Sequence, residues 1–198
     1  MTTRILSELN RTDLSSQAAD AIKTAISYYG NDPWGFNETS TAISVVSGTY
    51  RYSLPADFIT ELAVAYDDSG YRYPLFKISI GTWDARFTTS YQSEPQDYCL
   101  FADSILFQPT PYDSYSAVLT YVHSLPELSD SASNPWTIEC EEMIRMRATA
   151  DLLENVIRGQ DAAQQAIICR ARESEIYRRL RSKRERQQSS HIKRRGYL

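Results

Sequence analysis

The sequence predicts an α+β protein: a helical bundle formed by the N- and C-terminal segments, an inserted antiparallel β-domain, and a basic C-terminal tail. Three observations predict it. All 8 prolines lie between Pro33 and Pro135, so both ends of the chain lack the residue that breaks helix interiors. Apolar residues near both ends recur at spacings of three and four, the period of a helix face. Ten of the 14 tyrosines lie between Tyr50 and Tyr121, in short runs bounded by turn residues, which favours strands.

Along the chain, a short helix is predicted around Thr3 to Leu9. Leu14, Ala18, Ala21, Ile22, Ala25, Ile26 and Tyr29 then draw one apolar stripe on a helix capped by Thr12 or Asp13 and ended by Gly30. In the middle, Tyr50, Tyr52 and Leu54 alternate with Arg51 and Ser53, and Leu62, Val64 and Tyr66 alternate with Ala63 and Ala65. Asp67-Asp68-Ser69-Gly70 reads as a turn into Tyr71-Arg72-Tyr73, and Ala102-Asp103-Ser104 as another between Cys99-Leu100-Phe101 and Ile105-Leu106-Phe107. A last strand is predicted from Ala117 to His123. After Asn134-Pro135-Trp136, Thr137 is expected to cap a helix carrying Glu139, Glu141 and Glu142 in its first turns and Ile144, Ala148, Leu152 and Val156 on one face. Arg158-Gly159 reads as its stop and Asp161 as the cap of a final helix bearing Ala163, Ile167, Ala171 and Leu180, with no terminator before Gln187-Gln188-Ser189-Ser190. Burying the first stripe against the last helices makes the β-region an insertion. The expected domains are a bundle of residues 1–36 and 136–180, a β-domain of 37–135 and a basic extension of 181–198.

The chain has 198 residues, 42% apolar and 23% charged. Such a length buries about 70% of the unfolded surface and needs no disulfide or metal staple. No apolar run is long enough to span a bilayer, and the opening Met1-Thr2-Thr3-Arg4 begins no apolar stretch, which predicts a cytosol-like compartment and no membrane partner. Cys99, Cys140 and Cys169 are odd in number and far apart, so they read as small buried hydrophobes. With only His123 and His191 besides, a zinc site or histidine-based triad has little to work with. There is no Gly-rich phosphate loop and no Gly-x-Ser-x-Gly turn. Glu139, Glu141 and Glu142 form the best acidic cluster, but successive helical positions diverge, and favourable dipole interaction explains them better than acid/base work. The aromatic residues, Trp34, Trp83 and Trp136 included, are expected in a core or a subunit interface. The expectation is no enzyme, no cofactor and no metal.

Charge is the strongest positive signal. Met1 to Cys169 holds 10 Lys+Arg against 22 Asp+Glu, and Arg170 to Leu198 holds 11 against 3, giving −12 and +8. Arg178, Arg179, Arg181, Lys183, Arg184 and Arg186 form one dense run and Lys193, Arg194 and Arg195 another, ending at Tyr197-Leu198. Cations at the negative pole of a helix account for part of this. The remainder points to an acidic protein surface or to nucleic-acid phosphates, and the acidic body, which repels phosphates, favours a protein partner.

Several ordered segments resemble a known family. Leu9-Asn10-Arg11-Thr12-Asp13, then Ala21 to Tyr29, then Trp34-Gly35-Phe36-Asn37-Glu38 resemble the opening of tailed-bacteriophage head-to-tail adaptor proteins. Gly48-Thr49-Tyr50-Arg51-Tyr52-Ser53-Leu54-Pro55-Ala56-Asp57-Phe58 is similar to the family's "Gly, aromatic, Leu-Pro-x-Asp-Phe" segment. Pro95-Gln96-Asp97-Tyr98 with Leu106 to Pro111 resembles its second strand pair, and Tyr121 to Ser129 followed by Asn134-Pro135-Trp136 its connection into the final helices.

The resemblance implies a structural virion protein at the neck between head and tail, assembled in the host cytoplasm. It implies a homo-oligomeric ring of twelve, docked beneath the portal protein, with a tail or nozzle protein below and genomic DNA passing through the channel without specific binding. On this reading the basic residues from Arg178 to Arg195, with Tyr197 and Leu198, are the portal-binding site. The alternatives are a nucleic-acid-binding packaging or assembly factor using the basic tail and, last, a hydrolase using the carboxylates near Glu139.

Overall fold

The computed structural model describes residues 1–68, 70–88, 91–125 and 134–189, the side chains of 187–189 excepted. The first elements in chain order are α1 (Thr2–Glu8), α2 (Ser15–Gly30), β1 (Glu38–Val45), β2 (Arg51–Ser53), β3 (Phe58–Asp68), β4 (Tyr71–Pro74) and β5 (Phe76–Lys77). Then follow α3 (Ile80–Arg86), β6 (Gln92–Ser93), β7 (Asp97–Phe101), β8 (Ser104–Gln108), β9 (Thr110–Pro111) and β10 (Tyr115–His123). Last come α4 (Pro135–Glu139), α5 (Glu141–Leu152), a π-helical turn at Leu153–Ile157, and α6 (Gln160–Ser189). The fold class is α+β. The chain divides into two compact units, Met1–Phe36 with Pro126–Leu198, and Asn37–Leu125.

In the helical unit, α2 packs on α1 and α5, and α5 packs on α6. The apolar stripe of α2 buries Ala18, Ala21, Ile22, Ala25 and Tyr29. Its ends differ from expectation. Leu14 occupies the N-cap with no side-chain bond, because Asp13 is held instead by Arg11 Nε and Nη2 at 2.7 and 2.6 Å. Gly30 stays within the helix, which closes on Asn31 at φ −78°; the left-handed turn falls at Gly35, φ 82°. At α4 the cap is Asn134, not Thr137: Asn134 Oδ1 accepts from Trp136 N at 3.0 Å, and Thr137 Oγ1 donates to the Asn134 carbonyl at 2.8 Å. Pro135 fills the first helical position, where its missing N–H is harmless.

The π-helical turn after α5 shifts the phase of the last residues of this helix. Arg158 N donates to Leu153 O at 3.0 Å, a bond spanning five residues instead of four, and the extra residue in the turn rotates the side chains that follow. Leu152 and Leu153 are both buried, while Val156, expected on the inner face, is 41% exposed. Arg158 at φ 53° and Gly159 at φ 112° stop the helix where the sequence predicts. The final helix begins at Gln160, leaving Asp161 in its first turn instead of at the cap. It buries Ala162, Ala166 and Ile176, with Cys169 and Leu180 partly covered, whereas Ala163, Ile167 and Ala171 face outward. Apolar residues occupy two adjacent phases of this helix, so periodicity alone could not choose between them.

The β unit contains a four-stranded antiparallel sheet of order β1-β10-β3-β4 and a second of order β2-β8-β7-β5. The two-residue pairings β5–β7 and β6–β9 are parallel. Val64, Tyr66, Ala117, Leu119 and Tyr121 of the first sheet form one buried cluster with Tyr98, Ile105 and Phe107 of the second. The outer face of the second sheet is covered by α3, whose Trp83 packs on Cys99 and Leu106. Covered on both faces, β8 is buried throughout, which is why Ile105-Leu106-Phe107 shows no alternation. The β7–β8 hairpin turns on Ala102 and Asp103 at φ 46° and 54°, the left-handed pair of a type I′ turn. Leu62 breaks the period-two pattern: the register shifts between Thr120 and Tyr121, so Leu62 is left out of the pairing and is 39% exposed.

Tyrosines carry much of this core. Burial, with nearby carboxylates adding to it, raises Tyr66 and Tyr98 to about 12, and burial also pushes Tyr115 and Tyr121 up. A phenol with its folded pKa raised contributes stability that is intact below the unfolded value of about 10 and is lost as pH climbs past it. Thermal midpoints should therefore hold to about pH 10 and fall steeply toward 12. Ultraviolet titration should show these phenols ionising together with unfolding; their ionisation before unfolding would contradict this.

Candidate functional site

The basic helix α6 is anchored at its root by one acidic residue. Glu173 is 5% exposed, and its carboxylate gathers three donors from three helices. Tyr29 Oη of α2 donates to Oε1, Arg147 Nη1 of α5 donates to Oε1 at 2.8 Å, and Arg170 Nη1 of α6 donates to Oε2 at 3.3 Å. A buried anion is tolerated when its lone pairs are filled in this way. Burial first, and Glu173 second, push the Tyr29 phenol up, keeping it a proton donor. Arg170 also grips Glu154, Nη2 to Oε2 at 2.8 Å, which holds that carboxyl below its usual range. The Arg147 guanidinium lies 3.3 Å from the centre of the Tyr28 ring, a cation–π contact.

One turn further along α6, Tyr177 stacks on Tyr29 with ring centres 5.6 Å apart and meets Trp34 edge-on at 5.7 Å. Its hydroxyl donates to Asp32 Oδ2 at 3.0 Å and accepts from Arg181 Nη1 at 2.9 Å. Trp34 in turn donates Nε1–H to the Tyr29 carbonyl at 2.9 Å. A cleft of about 600 Å³ opens beside these groups. Each carboxylate in it already holds a guanidinium or a phenol, so the arrangement clamps α6 and offers no poised acid or base. Among the described residues, no group of three or more His, Cys, Asp or Glu side chains could hold a metal ion.

Beyond the clamp, α6 runs unbroken through the expected binding residues. Arg178, Arg179, Arg181, Lys183 and Arg186 are exposed and Arg184 is partly buried. Arg178 Nε donates to the Ser174 carbonyl of its own helix at 3.3 Å, and Arg179 Nη2 reaches the bundle, 3.6 Å from Glu142 Oε2. Lys193, Arg194, Arg195, Tyr197 and Leu198 lie outside the described residues, as does His191.

The acidic cluster is dispersed. Glu139 ends α4, across the Cys140 break from Glu141 and Glu142 at the start of α5. Glu141 accepts from Arg4 at 3.3 Å and Glu142 from Arg172 at 2.8 Å. Cys99 and Cys140 are buried, and burial raises the Cys140 thiol to about 12; Cys169 is only half-buried. Sequence reasoning missed the Glu173 clamp, for which the only signal was an acid placed among arginines.

Replacing Glu173 by Ala would leave Tyr29 Oη and two guanidiniums facing each other with no anion between them. The expected loss is about 3–5 kcal/mol of folding free energy, the cost of breaking a buried pair from one side. Glu173→Gln, which keeps a carbonyl acceptor, should lose less. Urea denaturation of the two variants checks this, and an alanine variant as stable as the parent would rule the clamp out.

Among the described residues no helix is long and apolar enough to cross a membrane. No curated protein matches the chain. The family model described as "SU10 adaptor protein" matches residues 1–195, spanning the helical unit and the β unit together. The chain belongs to the SU10 adaptor protein family, a phage head-to-tail adaptor family.

Proposed function

We propose that this chain is a structural protein of the virion neck. Twelve copies close into a ring that docks beneath the portal, extends the DNA channel toward the tail, and receives a tail or nozzle protein below. The observation that carries the reading is the 30-residue helix α6, clamped at Glu173 and exposing Arg178, Arg179, Arg181, Lys183 and Arg186 beyond the clamp. A stiff cationic arm on an acidic body suits an acidic groove on another assembly: opposite potentials steer the encounter and fix its register. The same acidic body, facing a channel, repels DNA and keeps it from sticking. Lys193, Arg194, Arg195, Tyr197 and Leu198 extend the arm in sequence. No catalysis enters this role.

Truncation after Leu180 tests it. The truncated chain keeps Glu173, Ile176 and Tyr177, so it should fold and melt like the parent while failing to co-sediment with portal rings. Attachment that survives the truncation overturns the assignment of the arm. Tight binding of the isolated chain to duplex DNA, weakening steeply with salt, would instead favour a packaging factor.

A further inference from the structure

We propose that β1 of one copy pairs with β4 of the next, so that the β1-β10-β3-β4 sheet continues across the subunit boundary; this deepens the ring reading and rests on it. The first observation is the state of the two edges. Among the described residues, β1 and β4 each have a strand on one side only. Folded proteins blunt such edges with prolines, charges, bulges or short strands. The β4 edge is blunted, with four residues ending at Pro74. The β1 edge is not: Glu38–Val45 runs for eight residues with an unbroken register against β10, without proline, and with no charge after Glu38. A long, regular edge with its one charge at the end is a standing invitation to strand addition.

The second observation is direction. All three pairings in this sheet are antiparallel, so with four strands the two edges run opposite ways. A copy related by rotation about a ring axis therefore presents its β1 antiparallel to β4, and the alternation continues through the junction. Such a contact is heterologous and closes only as a ring.

The third is the chemistry of the facing side chains. Thr39, Thr41, Ile43 and Val45 stand opposite Tyr121, Leu119, Ala117 and Tyr115, on the core face. Tyr73 stands opposite core residue Tyr66, which places Tyr71 and Tyr73 on that same face, 72% and 44% exposed. Pairing Tyr71 with Thr41 and Tyr73 with Thr39 sets aromatic against β-branched side chains, a favourable cross-strand combination. Arg72 then lies on the opposite face across from Ser40 and diagonal to Glu38. The one charge of each edge strand meets the opposite sign.

Cysteine cross-linking tests the pairing. Within one copy, positions 40 and 72 are three strand spacings apart and offset by four residues along the strands, Ser40 aligning through Thr120 with Ala63 and Arg72 with Asp67, roughly 20 Å in all, too far for a disulfide, so only neighbouring copies can join them. In a Cys169→Ser background, the Ser40→Cys/Arg72→Cys chain, assembled on portal rings and oxidised, should give a ladder of covalent multimers on a non-reducing gel. Each single variant should give none. Glu38→Cys and Ala42→Cys, each combined with Arg72→Cys, test registers two residues to either side, and a ladder from either also supports the pairing. Rings in negative-stain images without a ladder from any of the three pairs overturn the strand addition and leave the ring standing. A ladder without closed rings supports the pairing and overturns the ring; neither rings nor ladder overturns both.

Discussion

The direction of α6 depends on one buried carboxylate. Glu173 is the point where α2, α5 and α6 meet, and its three donors come one from each helix. A hydrophobic contact at that position would tolerate rotation of α6 by a fraction of a turn. A carboxylate satisfied by a phenol and two guanidiniums does not, because any rotation strands a buried polar group. The stacked pair Tyr29–Tyr177 and the bond from Tyr177 to Asp32 extend the constraint by one turn toward the basic residues. The arm thereby leaves the bundle along a fixed axis.

That constraint also explains which side of α6 is inside. The sequence offers Ala162, Ala166 and Ile176 in one phase and Ala163, Ile167 and Ala171 in the next. The Glu173 clamp selects the first. The consequence is an exposed pair, Ile167 and Ile168, at 69% and 67%, on a helix whose other outward residues are largely polar or charged. Two adjoining large apolar residues left in water suit a surface that a neighbour covers in an assembly.

The class of fold was legible from proline placement, apolar period and tyrosine clustering because each reports a local preference that packing did not override. Boundaries set by local chemistry were legible too, as at Arg158-Gly159 and the Ala102-Asp103 turn. What escaped were features decided by competition between near-equal options. Asp13 could cap a helix or pair with Arg11; Thr137 or Asn134 could cap α4; two apolar phases of α6 could turn inward. The short helix α3 was hidden among strands, since Ile80–Arg86 offers only Trp83 as a strongly buried residue. The basic run of α6 was visible in the charge count, but the clamp that aims it was not. Residues 144 and 26 positions apart in sequence meet there, and no periodicity reports such a meeting.

Both units close their cores without help from another chain. Ile105, Phe107 and Leu119 are fully buried in one, and Met143, Ile144 and Ala148 in the other. Surfaces left open, the β1 edge and the outer face of α6, therefore carry little of the folding free energy. A protein built this way can remain folded as a separate chain and still hold pairing groups ready. In a closed ring each junction need only be modest, because every copy is held from two sides and the loss of one contact does not release it. Electrostatics then separates the two kinds of contact. Edge strands with a single charge each, of opposite sign, and apolar helix positions suit copies of the same chain, for which a net charge of like sign is a penalty, whereas the dense cationic arm suits a different, acidic partner. The residues of the proposed contact between copies and those of the proposed arm contact do not overlap, so neither would compete with the other.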